Sequence, residues 1–474
     1  MQKLDSKKVL VKSAAMKPRY SPPLDEDFYP AVLYNRAFQE RVIASGGGVP
    51  LVLGIERANA AVSRYETRVL EHNHSETSDN YFFVERLVKF LLWQYGGWKV
   101  YVGGPSEIGE YIRACYGDQG DRAFDARFMG DEVYQKPFTV ESCNPEDVPA
   151  TSDQQRSIGR HLSGYRIGFD LGASDLKVSA VVDGEAVFAT EIEWDPVHQT
   201  SPLYHREKIS AALKLAASKM PRVDAIGGSS AGIYIDNRPM IASLYRGIPK
   251  ADFEQISNMF LEIGEDYGVP LEIVNDGEVT ALAGSMSLSD TGVLGIAMGS
   301  SEAAGYVTLD GGITNWLNEL AFAPVDYNPS AFIDEWSGDR GNGALYFSQQ
   351  CVFRLAPKAG LAIPDSMTKA QKLTYVQERL EAGHGNALKI WQSIGIYLGY
   401  TLAHYAEFYD MNHVLILGRC TSGSGGRVIL DGANTVLNGE FPELAAQVSI
   451  HLPDEKSRRV GQSIAAASLP RVDR

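Results

Sequence analysis

The chain is poor in cysteine: its 474 residues hold four, Cys115, Cys143, Cys351 and Cys420, set far apart and without a CxxC pair. That spacing excludes a zinc finger or ribbon and a dense disulfide framework, and it fits reduced thiols in a cytoplasm. Long apolar runs are missing too. No stretch approaches the about 18 residues that a membrane-spanning helix needs, and Met1 to Tyr20 carries lysines without the apolar h-region of a secretory signal. Basic residues are outnumbered, 44 Lys and Arg against 59 Asp and Glu, for a formal net charge of −15. Such a surface is not built to neutralise phosphates along a strand, so no nucleic-acid partner is expected. Two nucleotide signatures are also absent. There is no Walker A sequence, and Gly423-Ser424-Gly425-Gly426 lacks the GxGxxG spacing of a dinucleotide loop, which makes a nicotinamide-dependent oxidoreductase a poor fit.

What is present is an ordinary globular composition, 44% hydrophobic and long enough for two or three domains. Residues 1–30, with their lysines and prolines, read as a loose N-terminal arm. Within 31–145, Val49 to Leu70 has the pattern of paired strands and Phe82 to Gln94 the spacing of a buried helix. Trp98 to Val102 follows as a strand and Ile108 to Cys115 as a second helix, completing an α/β module with no basic recognition helix for DNA. The polar stretch Asn144 to Arg160, with two prolines, marks a linker, placed at 146–162. Beyond it, Tyr165 to Leu171, Leu176 to Val182 and Ala186 to Trp194 read as three antiparallel strands. The helices Lys208 to Met220 and Asp252 to Tyr267 are each followed by a short strand, Val223 to Gly227 and Leu271 to Val274.

An internal duplication is the most informative feature. At one constant offset, Gly168, Gly172, Ser174, Asp183 and Gly184 fall on Gly295, Gly299, Ser301, Asp310 and Gly311, and acidic Asp175 falls on Glu302. The unit strand, glycine turn, strand, Asp-Gly turn thus occurs twice. At another offset Ile226-Gly227 and Gly232 match Leu417-Gly418 and Gly423, each expected as a strand ending in a glycine-bounded loop. Two such halves, 163–285 and 286–474, would set two glycine turns across a cleft and offer backbone N–H groups to a triphosphate from both sides.

The residues of these units carry a resemblance. Ile167-Gly168-Phe169-Asp170-Leu171-Gly172-Ala173-Ser174-Asp175-Leu176-Lys177 resembles the first phosphate motif of the sugar kinase, actin and chaperone-ATPase superfamily. Ile273-Val274-Asn275-Asp276-Gly277-Glu278 is similar to the Asn-Asp motif of ROK-family sugar kinases. Ile296-Ala297-Met298-Gly299-Ser300-Ser301 stands in the place of the second phosphate motif, Val414 to Gly418 in that of the adenosine motif, and Gly461 to Ala467 resembles the small-residue interface helix. The fold this implies is α/β: duplicated ribonuclease H-like (actin-like ATPase) domains flanking a nucleotide cleft, plus the N-terminal α/β module, whose candidate roles are a lid over the cleft or a homodimer interface.

The resemblance implies a kinase that uses ATP and Mg²⁺ to phosphorylate a sugar or sugar derivative. A sugar-binding regulator of the same fold is the alternative. Asp276 would deprotonate the attacking hydroxyl, for which an ordinary carboxylate pKa of about 4 would suffice; as a residue before an alanine-rich helix it could equally be an N-cap. Asn275, Glu319, Gly232 and Ser230 would contact the sugar. Asp170 would hold Mg²⁺ through water. Gly172, Ser174, Lys177, Gly299, Ser300 and Ser301 would meet the phosphates, and Gly418 and Arg419 the adenosine. The sequence departs from the ROK pattern in places. Phe322 stands where a zinc-binding, sugar-contacting His is usual, the cysteine cluster is missing so that no zinc is expected, and Tyr346 replaces a sugar-contacting Glu. Both aromatics suggest a reshaped acceptor pocket, with core packing as the other reading.

Overall fold

The computed structural model describes residues 17–152, 158–453 and 455–472; residues 1–16 of the arm and 153–157 of the linker lie outside that description. Helices of eight or more residues are numbered below. The N-terminal module runs α1 (Ala31–Ala44), β1 (Val49–Glu56), β2 (Val62–Val69), α2 (Asp79–Tyr95), β3 (Lys99–Gly103), α3 (Ser106–Cys115) and β4 (Thr139–Cys143). Its sheet has the order β2-β1-β3-β4, antiparallel except for the parallel β3–β4 pair. Helix α2 is buried on nearly every side, its charged residues included. Burying a charge is costly unless it is paired, and here pairing is complete in number: Arg86, Lys89 and Arg122 meet Glu85, Asp125 and Asp339.

The first half contains β5 (Tyr165–Leu171), β6 (Asp175–Val182), β7 (Glu185–Glu193), α4 (Pro202–Ala217), β8 (Ala225–Ser230), a ribbon of β9 (Ile233–Ile235) and β10 (Arg238–Ile241), α5 (Phe253–Tyr267) and β11 (Leu271–Asn275). Its sheet order is β11-β8-β5-β6-β7, antiparallel through the hairpins and parallel from β5 to β11. Helix α6 (Asp276–Leu288) then leads to the second half: β12 (Val293–Met298), β13 (Glu302–Val307), the inserted helices α7 (Gln349–Lys358), α8 (Lys369–Glu381) and α9 (Gly385–Tyr405), and β14 (His413–Leu417), α10 (Gly425–Glu440), β15 (Ser449–His451) and α11 (Glu455–Ala467). The order β13-β12-β14-β15 repeats the first sheet without its outer hairpin strand. The Asp310-Gly311 turn forms, with Gly311 N–H donating to the Thr308 carbonyl at 2.9 Å, but it yields only the isolated bridge of Val307 to Ile313 before the chain leaves for the N-terminal module.

The halves exchange their last helices. Helix α6, entered from the first sheet, packs on β12 and β13, and α11, entered from the second, packs on β5 and β8. Close approach requires glycine: a β-carbon at Gly227 would overlap the Ala466 carbonyl, and one at Gly305 would overlap the Gly277 carbonyl. This corrects one sequence correspondence. Gly227 lies inside β8, which continues to Ser230, and serves helix packing, whereas Gly418 directly follows β14 in a left-handed conformation (φ +102°). The turn glycine that Gly418 and Gly423 resemble is Gly232 (φ +122°).

Neither the arm nor the linker is loose where it is described. The Tyr20 N–H donates to the Tyr400 hydroxyl at 3.0 Å, Phe28 is buried, and Asp25 accepts from Tyr397 at 2.6 Å, Lys358 at 2.9 Å and Arg354 at 3.1 Å. Ser152 exchanges bonds with Val62 on the rim of β2. One apolar core runs without a break from the module into the second half, joining Phe38, Leu53 and Phe90 to Ile296, Leu320 and Tyr397, while the first half has its own around Phe169, Ile226 and Phe260. Gly227→Ala is expected to cost about 1–3 kcal/mol or more in urea unfolding through overpacking at the helix. Gly385→Ala, where an added carbon meets nothing within 4 Å, should leave the midpoint unchanged or slightly raised.

Candidate functional site

Three parallel strand ends meet at one rim of the first sheet. Asp170 is in register with Ser229 and Leu171 with Ser230, and Ser230 is in register with Asn275, so Asp170, Ser230 and Asn275 emerge together where open α/β sheets present their ligand sites. The Asn275 amide is fixed at both ends. Its Oδ1 accepts the Gly277 N–H at 2.7 Å and caps α6, and its Nδ2 donates to the Gly232 carbonyl at 2.7 Å. The cap therefore belongs to Asn275. Asp276 is the first residue of the helix, with Oδ1 accepting the Gly277 N–H at 3.1 Å.

Electrostatics links this rim to the other half. Burial, and after it the charge of Asp170, pushes the Asp276 carboxyl up to about 6, although the side chain keeps some solvent contact. The ordinary carboxylate value expected from sequence is corrected by that shift. Glu319 is raised to about 7 by burial and then by Asp276, and Glu302 to about 8 by burial and then by Glu319. Asp170, Asp276, Glu319 and Glu302 thus form a row in which each carboxyl feels the one before it. Glu278, behind the row, is raised to about 8 by burial while accepting from Asn318 at 2.5 Å and from the Tyr306 N–H at 3.1 Å.

Glu319 owes its place to the N-terminal module. The last-turn carbonyls of α2 accept three consecutive backbone N–H groups: Leu317 to Tyr95 at 3.2 Å, Asn318 to Gln94 at 2.9 Å and Glu319 to Trp93 at 3.0 Å. These are carbonyls that a helix end leaves without intrahelical partners. Phe322 completes the joint by stacking on Trp93 with ring centroids 4.3 Å apart. Tyr346 is fully buried and donates to Asp326 at 2.6 Å, with Tyr397 against its ring. It packs the core, and the reshaped-pocket reading fails for it.

The two glycine turns are open. Ser174, Ser300 and Ser301 are exposed, and a β-carbon at Gly299 would touch only the Ser301 carbonyl, at 3.6 Å. Gly172 N–H donates to the Asp175 carbonyl at 2.9 Å and Gly299 N–H to that of Ser301 at 3.0 Å, so the second turn closes one residue sooner. Lys177 is engaged within the first turn, 3.0 Å from Asp175 and 3.4 Å from Asp170. Ser230 is buried and accepts the Tyr234 hydroxyl at 2.7 Å. Gly418 borders a cavity of about 260 Å³ beside α6, and Arg419 is exposed. A second cavity, about 190 Å³, is walled by Gly232, Asn275 and Glu278 together with Arg57 and Tyr134 of the module, and stops short of Asp276. Among the described residues no three His, Cys, Asp or Glu side chains are grouped to hold a metal ion. Asp170 remains a hard oxygen donor at the rim, which suits an Mg²⁺ that arrives with phosphates and keeps most of its water. No helix among the described residues is long and apolar enough to cross a membrane.

Two participants escaped the sequence reading: Glu302, visible there only as the counterpart of Asp175, and the end of α2, which no motif marks.

No protein-family model matches the chain, and no curated protein matches it. Solved structures do. The ROK hexokinase of Thermus thermophilus superposes with a TM-score of 0.51 at 15% identity, covering 64% of this chain and 97% of its own. A ROK family glucokinase from Streptomyces griseus, solved with glucose and AMPPNP, gives 0.47 at 17% identity over 64% and 98%. A ROK family transcriptional regulator, a homologue of the E. coli MLC protein, gives 0.48 at 16% identity over 65% and 78%. Over about two thirds of its length the chain has the ROK hexokinase fold, and the rest is additional to it.

The raised carboxyls have a thermodynamic consequence. A carboxyl whose folded pKa exceeds its unfolded value stabilises most at low pH, and that stability is lost as pH rises through the folded value. The melting temperature should therefore fall as pH rises from the ordinary glutamate range, about 4.5, to about 8, where Glu302 and Glu278 are ionised in the unfolded chain but still protonated in the folded one, and level off above that. Glu302→Gln, which mimics the protonated form, should flatten that slope in differential scanning calorimetry.

Proposed function

We propose that the chain is a carbohydrate kinase, transferring the γ-phosphoryl group of ATP to a hydroxyl of a sugar or sugar derivative in the cytoplasm. The observation that carries this reading is the position of Asp276, at the head of a helix that joins the two halves, with Asp170 on one side and Glu319 on the other. Phosphoryl transfer needs positioning and charge stabilisation above all. The acceptor oxygen forms a bond to the γ-phosphorus as the bond from phosphorus to the β–γ bridging oxygen breaks, and ADP leaves with that electron pair. The acceptor proton passes to the Asp276 carboxylate. A base near 6 is ionised at neutral pH yet holds a proton better than a solvated aspartate, which suits general-base work.

The remaining roles follow from place. Asn275 and Glu319 orient the acceptor, with Gly232 beneath it and Ser230 setting the Gly232 loop through Tyr234. The turns of Gly172–Ser174 and Gly299–Ser301 hold the phosphates by backbone N–H groups, Gly418 and Arg419 border the adenosine, and Mg²⁺ bound beside Asp170 would supply charge to the phosphates. Lys177 neutralises Asp170 until a nucleotide arrives, and then shares itself with phosphate.

In a coupled ADP-release assay over a sugar panel, turnover is expected with at least one sugar, and Asp276→Asn should lower kcat by about 10²- to 10⁴-fold. The sign of the pH dependence follows from the raised carboxyl: kcat/KM should fall as pH drops through about 6, where Asp276 becomes protonated and can no longer accept the proton. Binding of both ATP and sugar with no turnover on any candidate would replace the kinase by a sugar-binding regulator.

A further inference from the structure

Among the described residues, the buried carboxyls are met by cations or by several hydrogen-bond donors, with one exception. Glu85, Asp125 and Asp339 share three cations, Asp25 takes Arg354 and Lys358, and Asp170 takes Lys177. Asp326 and Glu278 lack cations but accept hydrogen bonds from Tyr346, the Asn328 N–H, Asn318 and the Tyr306 N–H. Glu302 is 3% exposed, and the Tyr405 hydroxyl is the one donor that faces its carboxyl; no cation and no second donor meets either oxygen, a condition no other buried carboxyl among the described residues shares. Its place is defined on each side. It opens β13 directly after the Gly299–Ser301 turn, an Oε atom lies against Gly343, the Tyr405 hydroxyl of α9 faces it, and its charged neighbour is Glu319. No Lys, Arg or His of β5, α6, β13, α9 or the 318–320 turn contributes to the charge felt by Asp276, Glu319 or Glu302.

We propose that the missing partner is the acceptor itself: an amino sugar or amino polyol whose ammonium group sits against Glu319 and Glu302 while a neighbouring hydroxyl faces Asp276. This rests on the kinase reading and deepens it. Of the two glutamates Glu319 keeps some exposed surface and is the one a ligand reaches first, with Glu302 behind it supplying the second acceptor. An ammonium offers three donors to a region with a surplus of acceptors, and its positive charge would draw the protons off Glu319 and Glu302, whose raised values report the absence of any cation beside them. Hydrogen bonds to charged groups contribute about 1.5–3 kcal/mol each, so the preference over a neutral isostere should be about tenfold or more.

The test compares glucosamine and mannosamine with glucose, mannose and N-acetylglucosamine, the last keeping the nitrogen and losing its charge. ADP release is followed with the full-length protein, and binding of the same sugars is measured by calorimetry with AMPPNP present. The free-amine acceptors should show the higher kcat/KM by about tenfold or more, and Glu302→Gln should shrink that ratio chiefly by raising the KM of the amine. The wild-type comparison stands even where the variant folds poorly. Neutral sugars turned over as well as or better than amines would overturn the inference and leave the kinase intact. Amines bound tightly and never phosphorylated would overturn the kinase and leave the ammonium site, and a protein that binds no sugar of the panel would overturn both.

Discussion

The fold depends on the exchange of α6 and α11 between the two sheets. A strand of one half hands its chain to a helix that packs on the other half, and the reverse exchange occurs at the C-terminus. Interior packing is dense and transmits small displacements, so the head of α6 is fixed by both sheets at once. Asp276 occupies that head. Its carboxyl is consequently referenced to β11 through the Asn275 cap and to β13 through the contact of Gly277 with Gly305, and Asp276 stands at the seam of the two halves because the connection itself crosses there.

The same seam explains the chemistry of its acids. A helix N-terminus favours a carboxylate, by about 0.3–1 kcal/mol when exposed, yet Asp276 is raised, because low polarity and the neighbouring Asp170 outweigh the helix. Further from the rim the balance tilts more. Glu319 and then Glu302 lie deeper among apolar and aromatic groups, and each faces a carboxyl instead of a cation. The result is a gradient of proton affinity from the nucleotide side of the cleft inward. A structure that pairs six charges around α2 leaves Asp276, Glu319 and Glu302 without a cation, whereas Asp170 at the rim has Lys177.

Much of this was legible in the sequence. The paired strands Val49 to Leu70, the hairpins after Tyr165 and the helices of the first half follow apolar periodicity and Asp-Gly turns, signals that are local in the chain. The two glycine turns were legible through the duplication, and the Asn275-Asp276 pair through the family resemblance. Three things were not. The arm from residue 17 looks loose because its anchors, Ser393, Tyr397 and Tyr400, are hundreds of residues away. Phe322 and Tyr346 carry no mark telling a pocket wall from a core, which depends on Trp93 and Asp326. Glu302 reads as one more strand residue until burial and the lack of a cation or second donor set it apart, and no pattern along the chain reports either.

The N-terminal module acquires a definite mechanical meaning from the same contacts. It shares one apolar core with the second half and holds the backbone of residues 317–319 by the end of α2, whereas the first half keeps a core of its own. The division of the cores thus differs from that of the sequence: the module and the second half share one, most of the first half keeps another, and a third cluster around α6 and α11 joins the halves. A segment more than 200 residues from Glu319 in the chain therefore fixes the backbone that carries it, and the extra module is joined to the second half by packing and by backbone hydrogen bonds together.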